Sequence, residues 1–278
     1  MTRILATPDG STLQLRDWTP DEPSWLHLLL IHGVGEHAGR YERTGRLLAE
    51  AGIAVTAYDH RGHGKSSGRR GDVERWADLT DDAGRMLAEV RAAAGARPVA
   101  VLAHSMGGLV AVDAVLAGTL APDLLVLSAP GLGDALPRWQ HLVAPVAAKV
   151  VPTFVVKNAW DGSVLSRDPD VAREAGTDPL NLGGTTVRLG AGGFAAQDRV
   201  RRAIEGLQRM PMPTLLLHGT DDRLVPATTS EALGRLPGVE RRTYPGLRHE
   251  LLNEPEGPAI VVEIVAWLRA RVAARTPA

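Results

Sequence analysis

Cysteine is absent from the 278 residues, which removes disulfides, thiolate metal ligands and a cysteine nucleophile together. An excess of either charge is missing too. Lys and Arg number 31 against 32 Asp and Glu, a formal net charge of −1, so the chain carries no electrostatic footprint for nucleic acid. Lysine is scarce, confined to Lys65, Lys149 and Lys157. No apolar run reaches the length of a membrane span, and residues 1–10 hold none that would serve as a signal peptide. The expectation is a soluble cytoplasmic protein, with peripheral contact to a membrane left open. No two of the nine histidines stand at helical i, i+4 spacing around a carboxylate, so no metal is assigned. No cofactor is implied either, and neither internal repeats nor low-complexity runs occur.

What is present is a chain 44% hydrophobic, enough to bury a large core. A hairpin signal at Asp9-Gly10 leads into an alternating stretch at 12–16. Strand and helix patterns then take turns: strand Leu26–Ile31, helix 40–51, strand Ile53–Tyr58, helix 79–94, strand 99–103, helix 109–116 and strand Leu124–Ser128. The last third supplies strand 214–218, helix 229–236, strand 241–244 and helix 258–272. Such alternation predicts an α/β fold with a mostly parallel central sheet flanked by helices. Residues 131–196 interrupt it, so the expected organisation is a core of 1–130 and 197–278 with 131–196 as an inserted helical lid. Within the insertion, Leu136, Trp139, Leu142, Val143, Val146, Ala147 and Val150 recur at helical spacing, yet Ala144, Pro145, Ala148 and Val151 leave the opposite face apolar as well. Such a helix is either buried core or an exposed roof that faces lipid. The glycine-rich stretch 183–193 reads as hinge or loop.

Three short strings carry the chemistry. In Ala103-His104-Ser105-Met106-Gly107-Gly108 a buried strand pattern runs into a helical one, which places Ser105 on a tight strand-to-helix turn. Its neighbours two before and two after must be small there, and Ala103 and Gly107 are. The Met106 N–H lies near a helix start, where unpaired donors favour an oxyanion. A second donor is expected from His32-Gly33-Val34-Gly35, a glycine-rich turn that follows a buried strand, and the Val34 N–H is the candidate. A serine hydroxyl needs a base at neutral pH. His249 follows a strand and a Pro245-Gly246 turn, at the strand end where open α/β sheets build their sites. An acid must orient it, and in Thr220-Asp221-Asp222 either aspartate fits by position. His32, His60, His63 and His104 read as turn or support residues, because one base suffices.

These strings, with Glu36-His37, Arg40-Tyr41, Asp59-His60-Arg61-Gly62-His63-Gly64-Lys65-Ser66, Ser128-Ala129-Pro130, Arg223-Leu224-Val225-Pro226 and Tyr244 to His249, resemble the monoacylglycerol lipase and lysophospholipase branch of the α/β-hydrolases, particularly its bacterial members. The order Ser, Asp, His along the chain is the order that superfamily uses. The resemblance implies an α/β-hydrolase fold with Ser105 as nucleophile, Asp222 as acid, His249 as base, and Val34 and Met106 as oxyanion donors. It also implies that Glu36 and Arg40 seat a glycerol head group, although these two residues stand at i, i+4 and equally suit a simple helix ion pair. Two departures stand out. Ala103 replaces the commoner glycine, and Leu252 stands where mammalian members carry a second histidine.

The function so implied is a serine carboxylic ester hydrolase that cleaves monoacylglycerol to glycerol and fatty acid through an acyl-enzyme. The alternatives are a lysophospholipase, a broad monoester carboxylesterase, or a non-catalytic small-ligand binder on the same fold. The expected partner is a small lipidic ester, with the apolar lid as the surface for transient membrane contact; the oligomeric state is not legible. The Asp59 to Ser66 string reads as a brace for its loop rather than as chemistry.

Overall fold

The computed structural model describes residues 1–158 and 161–274; residues 159–160 of the expected lid and 275–278 of the expected core lie outside the described residues. The apolar runs become strands that are covered on both faces, with side chains alternating between two cores as the period of two requires. Leu29 and Ile31 face one core and Leu28 and Leu30 the other. Val99, Val101 and Ala103 divide from Ala100 and Leu102 in the same way.

Strands β1 (Thr2–Ala6), β2 (Thr12–Trp18), β3 (Leu26–Ile31), β4 (Ile53–Tyr58), β5 (Val99–His104) and β6 (Leu124–Ser128) precede an insertion that carries a two-stranded ribbon, β7 (Val155–Lys157) and β8 (Gly184–Thr186). Strands β9 (Thr214–Gly219) and β10 (Val239–Tyr244) complete the main sheet. Its order is β1-β2-β4-β3-β5-β6-β9-β10. β2 pairs antiparallel with β1 and β4, and every pairing from β4 onward is parallel. This is the predicted mostly parallel sheet, and its strands deliver the site loops to one edge.

Helices α1 (Glu42–Glu50), α2 (Trp76–Ala94) and α3 (Met106–Leu116) follow β3, β4 and β5. The insertion contributes α4 (Arg138–Val150) and α5 (Pro169–Thr177); α6 (Val187–Gly206) runs unbroken across the expected boundary at 196, with Ala196, Val200 and Ile204 packed in the core; α7 (Glu231–Gly234) and α8 (Gly257–Ala273) come last. Leu79, Val110 and Val200 of α2, α3 and α6 belong to one core, while Leu48 and Ile264 of α1 and α8 belong to the other. Full burial of one such side chain stabilises by about 1.5–3 kcal/mol.

Two expectations are corrected and one open alternative is decided. The helices expected over 40–51 and 229–236 each open with a 3₁₀ turn, Ala38–Tyr41 and Ala227–Ser230, before the α-helix begins. The stretch 183–193 is neither hinge nor loop along most of its length. Thr186 caps α6 by accepting the Leu189 N–H, and the cap starts a helix in which Gly192 and Gly193 lie against the Trp76 ring. Finally, α4 is not buried core: Trp139, Leu142, Val146 and Val150 are 61, 79, 65 and 73% exposed. It rests on α6 through its remaining side.

Candidate active site

Ser105 sits between the end of β5 and the start of α3 with φ 51° and ψ −120°, a left-handed conformation that costs a non-glycine residue about 1–3 kcal/mol. Backbone bonds on both sides hold it there. Its N–H donates to the Ser128 carbonyl at 3.1 Å, and its carbonyl accepts the Gly131 N–H at 2.8 Å. The small residue two positions on is explained directly: a Cβ on Gly107 would lie 2.4 Å from the His32 carbonyl oxygen and 2.5 Å from that of Ile31.

The imidazole of His249 reaches this turn from the loop after β10. Its Nε2 lies 2.9 Å from Ser105 Oγ and its Nδ1 2.7 Å from Asp222 Oδ2. The other Asp222 oxygen accepts the Leu224 and Val225 N–H groups, each at 2.9 Å. Asp221, by contrast, is exposed; its carboxylate accepts the Thr220 hydroxyl, and its N–H donates to the Leu247 carbonyl. The structure therefore separates the two aspartates that position alone left equal. Burial opposes the charge on Asp222, but the adjacent His249 and His218 with the two N–H donors outweigh it and hold the carboxyl well below its ordinary range. On His249 burial lowers the pKa, yet the Asp222 carboxylate prevails and the net shift is upward. An acceptor on Nδ1 fixes the tautomer that leaves Nε2 free to take a proton from Ser105.

Ser105 and His249 open onto a cavity of about 880 Å³ that Val34, Met106, Leu109, Leu165, Leu189 and Phe194 also line. Val34 occupies the turn after β3, and Met106 is the first residue of α3, where a helix N–H has no intrahelical partner. Both line the cavity onto which Ser105 opens.

Glu36, Arg40 and Glu250 also line this cavity. Glu36 is buried; its Oε1 accepts the Gly33 N–H at 2.5 Å and the Tyr41 hydroxyl at 2.7 Å. Arg40 Nη1 lies 3.4 Å from Glu36, but the guanidinium makes a two-point contact with Glu250 at 2.5 and 2.8 Å. The cation thus belongs mainly to Glu250, whose carboxyl is held down against burial. Glu36, buried and facing the Glu250 charge, is pushed up to about 7. Sequence reasoning missed Glu250. Its only signal was a carboxylate adjacent to the base, and a partner 210 residues away leaves no local pattern.

The other buried histidines stand outside the Ser105 hydrogen bonds. His32 Nδ1 contacts the Gly33 carbonyl at 2.7 Å, its Nε2 accepts the His60 N–H at 2.9 Å, and His104 Nδ1 contacts the Ser128 carbonyl at 3.0 Å. Asp59 ties its loop together by accepting the Ala38 and Lys65 N–H groups at 2.8 Å. Among the described residues no cluster of His, Asp and Glu has the arrangement of a metal site, and no helix is long and apolar enough to cross a membrane.

Residues 23–256 match the family model described as serine aminopeptidase, S33. A monoacylglycerol lipase of Mycolicibacterium smegmatis is 35% identical over 266 residues, 90% of each chain. The human monoglyceride lipase is 32% identical, over 97% of this chain and 90% of its own. Among solved structures, the Paleococcus ferrophilus monoacylglycerol lipase superposes with a TM-score of 0.82 at 28% identity, covering 93% of this chain and 99% of that one.

Proposed function

The chain belongs to the serine aminopeptidase S33 family of α/β-hydrolases, and from that premise we propose that it is a serine carboxylic ester hydrolase cleaving monoacylglycerol to glycerol and a free fatty acid. The observation that carries the mechanism is the chain of contacts from Ser105 Oγ through His249 to Asp222, 2.9 and 2.7 Å long, at a cavity large enough for a single acyl chain.

Ser105 Oγ attacks the ester carbonyl carbon while its proton passes to His249 Nε2, and the Asp222 carboxylate stabilises the resulting imidazolium. The N–H groups of Val34 and Met106 hold the developing oxyanion; one such donor contributes about 2.7–4 kcal/mol. Collapse of the tetrahedral species breaks the bond to glycerol, whose leaving oxygen takes the proton from His249. A water molecule then attacks the acyl-Ser105 ester, gives a proton to the same nitrogen, and releases the fatty acid as Ser105 recovers its hydrogen.

Glu36 and Arg40 receive the glycerol hydroxyls in this reading. Residues 131–196 act as the lid, roofing the acyl chain. The exposed apolar side chains of α4 support transient contact of that lid with a lipid surface, from a cytoplasmic station that cell fractionation would check.

The test is direct. A fluorophosphonate should label the wild-type protein and not Ser105→Ala, and kcat/KM on monoolein should exceed that on lysophosphatidylcholine and on a short aryl ester. Labelling that persists in Ser105→Ala refutes the nucleophile; equal or greater turnover of lysophosphatidylcholine refutes the head group; no labelling of wild type favours a binding protein.

A further inference from the structure

Glu254, between the base loop and α8, is fully buried. Its Oε1 accepts the Arg248 N–H at 2.7 Å; its Oε2 accepts the Arg167 N–H at 2.9 Å, with Arg167 Nε and the Ser166 hydroxyl each at 3.2 Å. One carboxylate therefore joins the residue before His249 to the insertion. The residue after the base is tied to the same place, because the Glu250 N–H donates to the Leu165 carbonyl at 2.8 Å. The Arg248 guanidinium adds bonds to the Ser163 and Ser166 carbonyls.

Beyond α5 the same stretch of insertion grips the other half of the site. Asp178 Oδ2 lies 2.9 Å from His37 Nε2, and the Leu182 N–H donates to the Gly35 carbonyl at 2.9 Å. Arg70, from the core, bonds the Leu180 carbonyl at 2.6 Å. The first two fall at Gly35 and His37, on either side of Glu36 and directly after Val34.

We propose that Glu254 and Asp178 are positioning residues, and that the stretch 163–182, besides lining the cavity, is a strut holding the base loop in register with the turn that carries the Val34 N–H. The proposal rests on the roles given above to Ser105, His249 and Val34. Its physical basis is that a hydrogen-bonded carboxylate with donors on both oxygens admits little freedom, and that small displacements of reacting groups lower turnover steeply. In Glu254→Gln one acceptor oxygen becomes an NH₂ group, so either the Arg248 N–H or the Arg167 N–H and Nε–H lose their acceptor, while the Ser166 hydroxyl keeps the Asn253 carbonyl at 3.0 Å.

Wild type, Glu254→Gln, Glu254→Asp and Asp178→Ala should be compared on p-nitrophenyl acetate, whose acyl group is too short to need a roof, with kcat normalised to titrated active sites. The expected result is a kcat lower by about tenfold to a hundredfold in Glu254→Gln and Asp178→Ala, with KM within about twofold. Glu254→Asp, which keeps both acceptor oxygens, should recover part of the loss. Asp178 is partly exposed, so its variant carries the same expectation where Glu254→Gln yields no folded protein. Unchanged kcat per titrated site with only a lowered Tm would overturn the proposal, as would a loss confined to KM on long-chain esters. Wild type without Ser105-dependent turnover would overturn this proposal and the functional reading together; active wild type matched by its variants would overturn this proposal alone.

Discussion

Asp222→Asn is the most informative single change, because the geometry dictates which way the new amide must turn. One Asp222 oxygen accepts two backbone N–H groups, from Leu224 and Val225, and the other accepts His249 Nδ1. An asparagine oxygen directed at His249 would point its NH₂ at two N–H donors and leave three donors without an acceptor, at about 1–3 kcal/mol for each buried group. The opposite orientation keeps both backbone bonds and aims the NH₂ at Nδ1. That orientation is therefore favoured, and it forces Nδ1 to accept and Nε2 to carry the proton, so the imidazole faces Ser105 with a donor where an acceptor is required. The expected loss in kcat is about 10⁴-fold, or roughly 5.5 kcal/mol of transition-state stabilisation. Steady-state hydrolysis of a p-nitrophenyl ester and the second-order rate of fluorophosphonate labelling should fall together, while Tm moves little. A kcat within tenfold of wild type, in folded protein, would refute the tautomer argument and with it the role of Asp222.

Glu36 holds its proton in the fold, with a pKa of about 7 against an ordinary value near 4.5, so its contribution to stability is complete below the ordinary value and is lost as pH rises through about 7. Glu36→Gln should accordingly gain stability relative to wild type as pH climbs over that window in thermal melts, and a constant difference would refute the assignment. Burial lowers the His63 pKa to about 4, so the neutral ring stabilises the fold above the ordinary histidine range and that contribution is lost as pH falls through about 4. His63→Gln should cost about 1–3 kcal/mol at pH 8, flatten the acid limb of stability, and change kcat by less than about threefold; a larger loss in kcat than in stability would contradict the bracing role. Leu142→Asp and Val146→Asp change exposed side chains of α4, and should lower turnover of vesicle-borne monoolein severalfold while leaving p-nitrophenyl acetate unaffected. Equal effects on both substrates would remove the lipid-facing role.

The parts of this molecule that are encoded locally were legible. Buried parallel strands need uninterrupted apolar runs, and Leu26–Ile31 and Leu124–Ser128 are found where those runs predict. The serine turn was readable because a left-handed residue between a strand and a helix excludes bulk at fixed neighbours, and Gly107 meets that demand. Contacts made across the fold were not legible. Nothing near Asp221 and Asp222 says which one turns inward, since the choice depends on the Leu224 and Val225 N–H groups closing around a single carboxylate. Glu250 and Glu254 were invisible for the same reason: their partners, Arg40 and residues 166–167, are about 210 and 87 positions distant.

Helix α4 shows where the pattern itself leaves two readings open. Its residues are apolar around most of the circumference, the usual mark of a helix inside a core, but only Ala144 is buried. Periodicity reports how many faces avoid water; it does not report whether protein or something else covers them. Here α6 covers one side, and Trp139, Leu142, Val146 and Val150 remain uncovered. An exposed apolar face of this kind is costly to a protein that meets only water, and is favourable to one that works against lipid. The same composition that made the segment ambiguous as sequence therefore becomes, once its exposure is known, an argument for a lipidic substrate: the apolar face left exposed among the described residues lies on the insertion, other residues of which line the cavity.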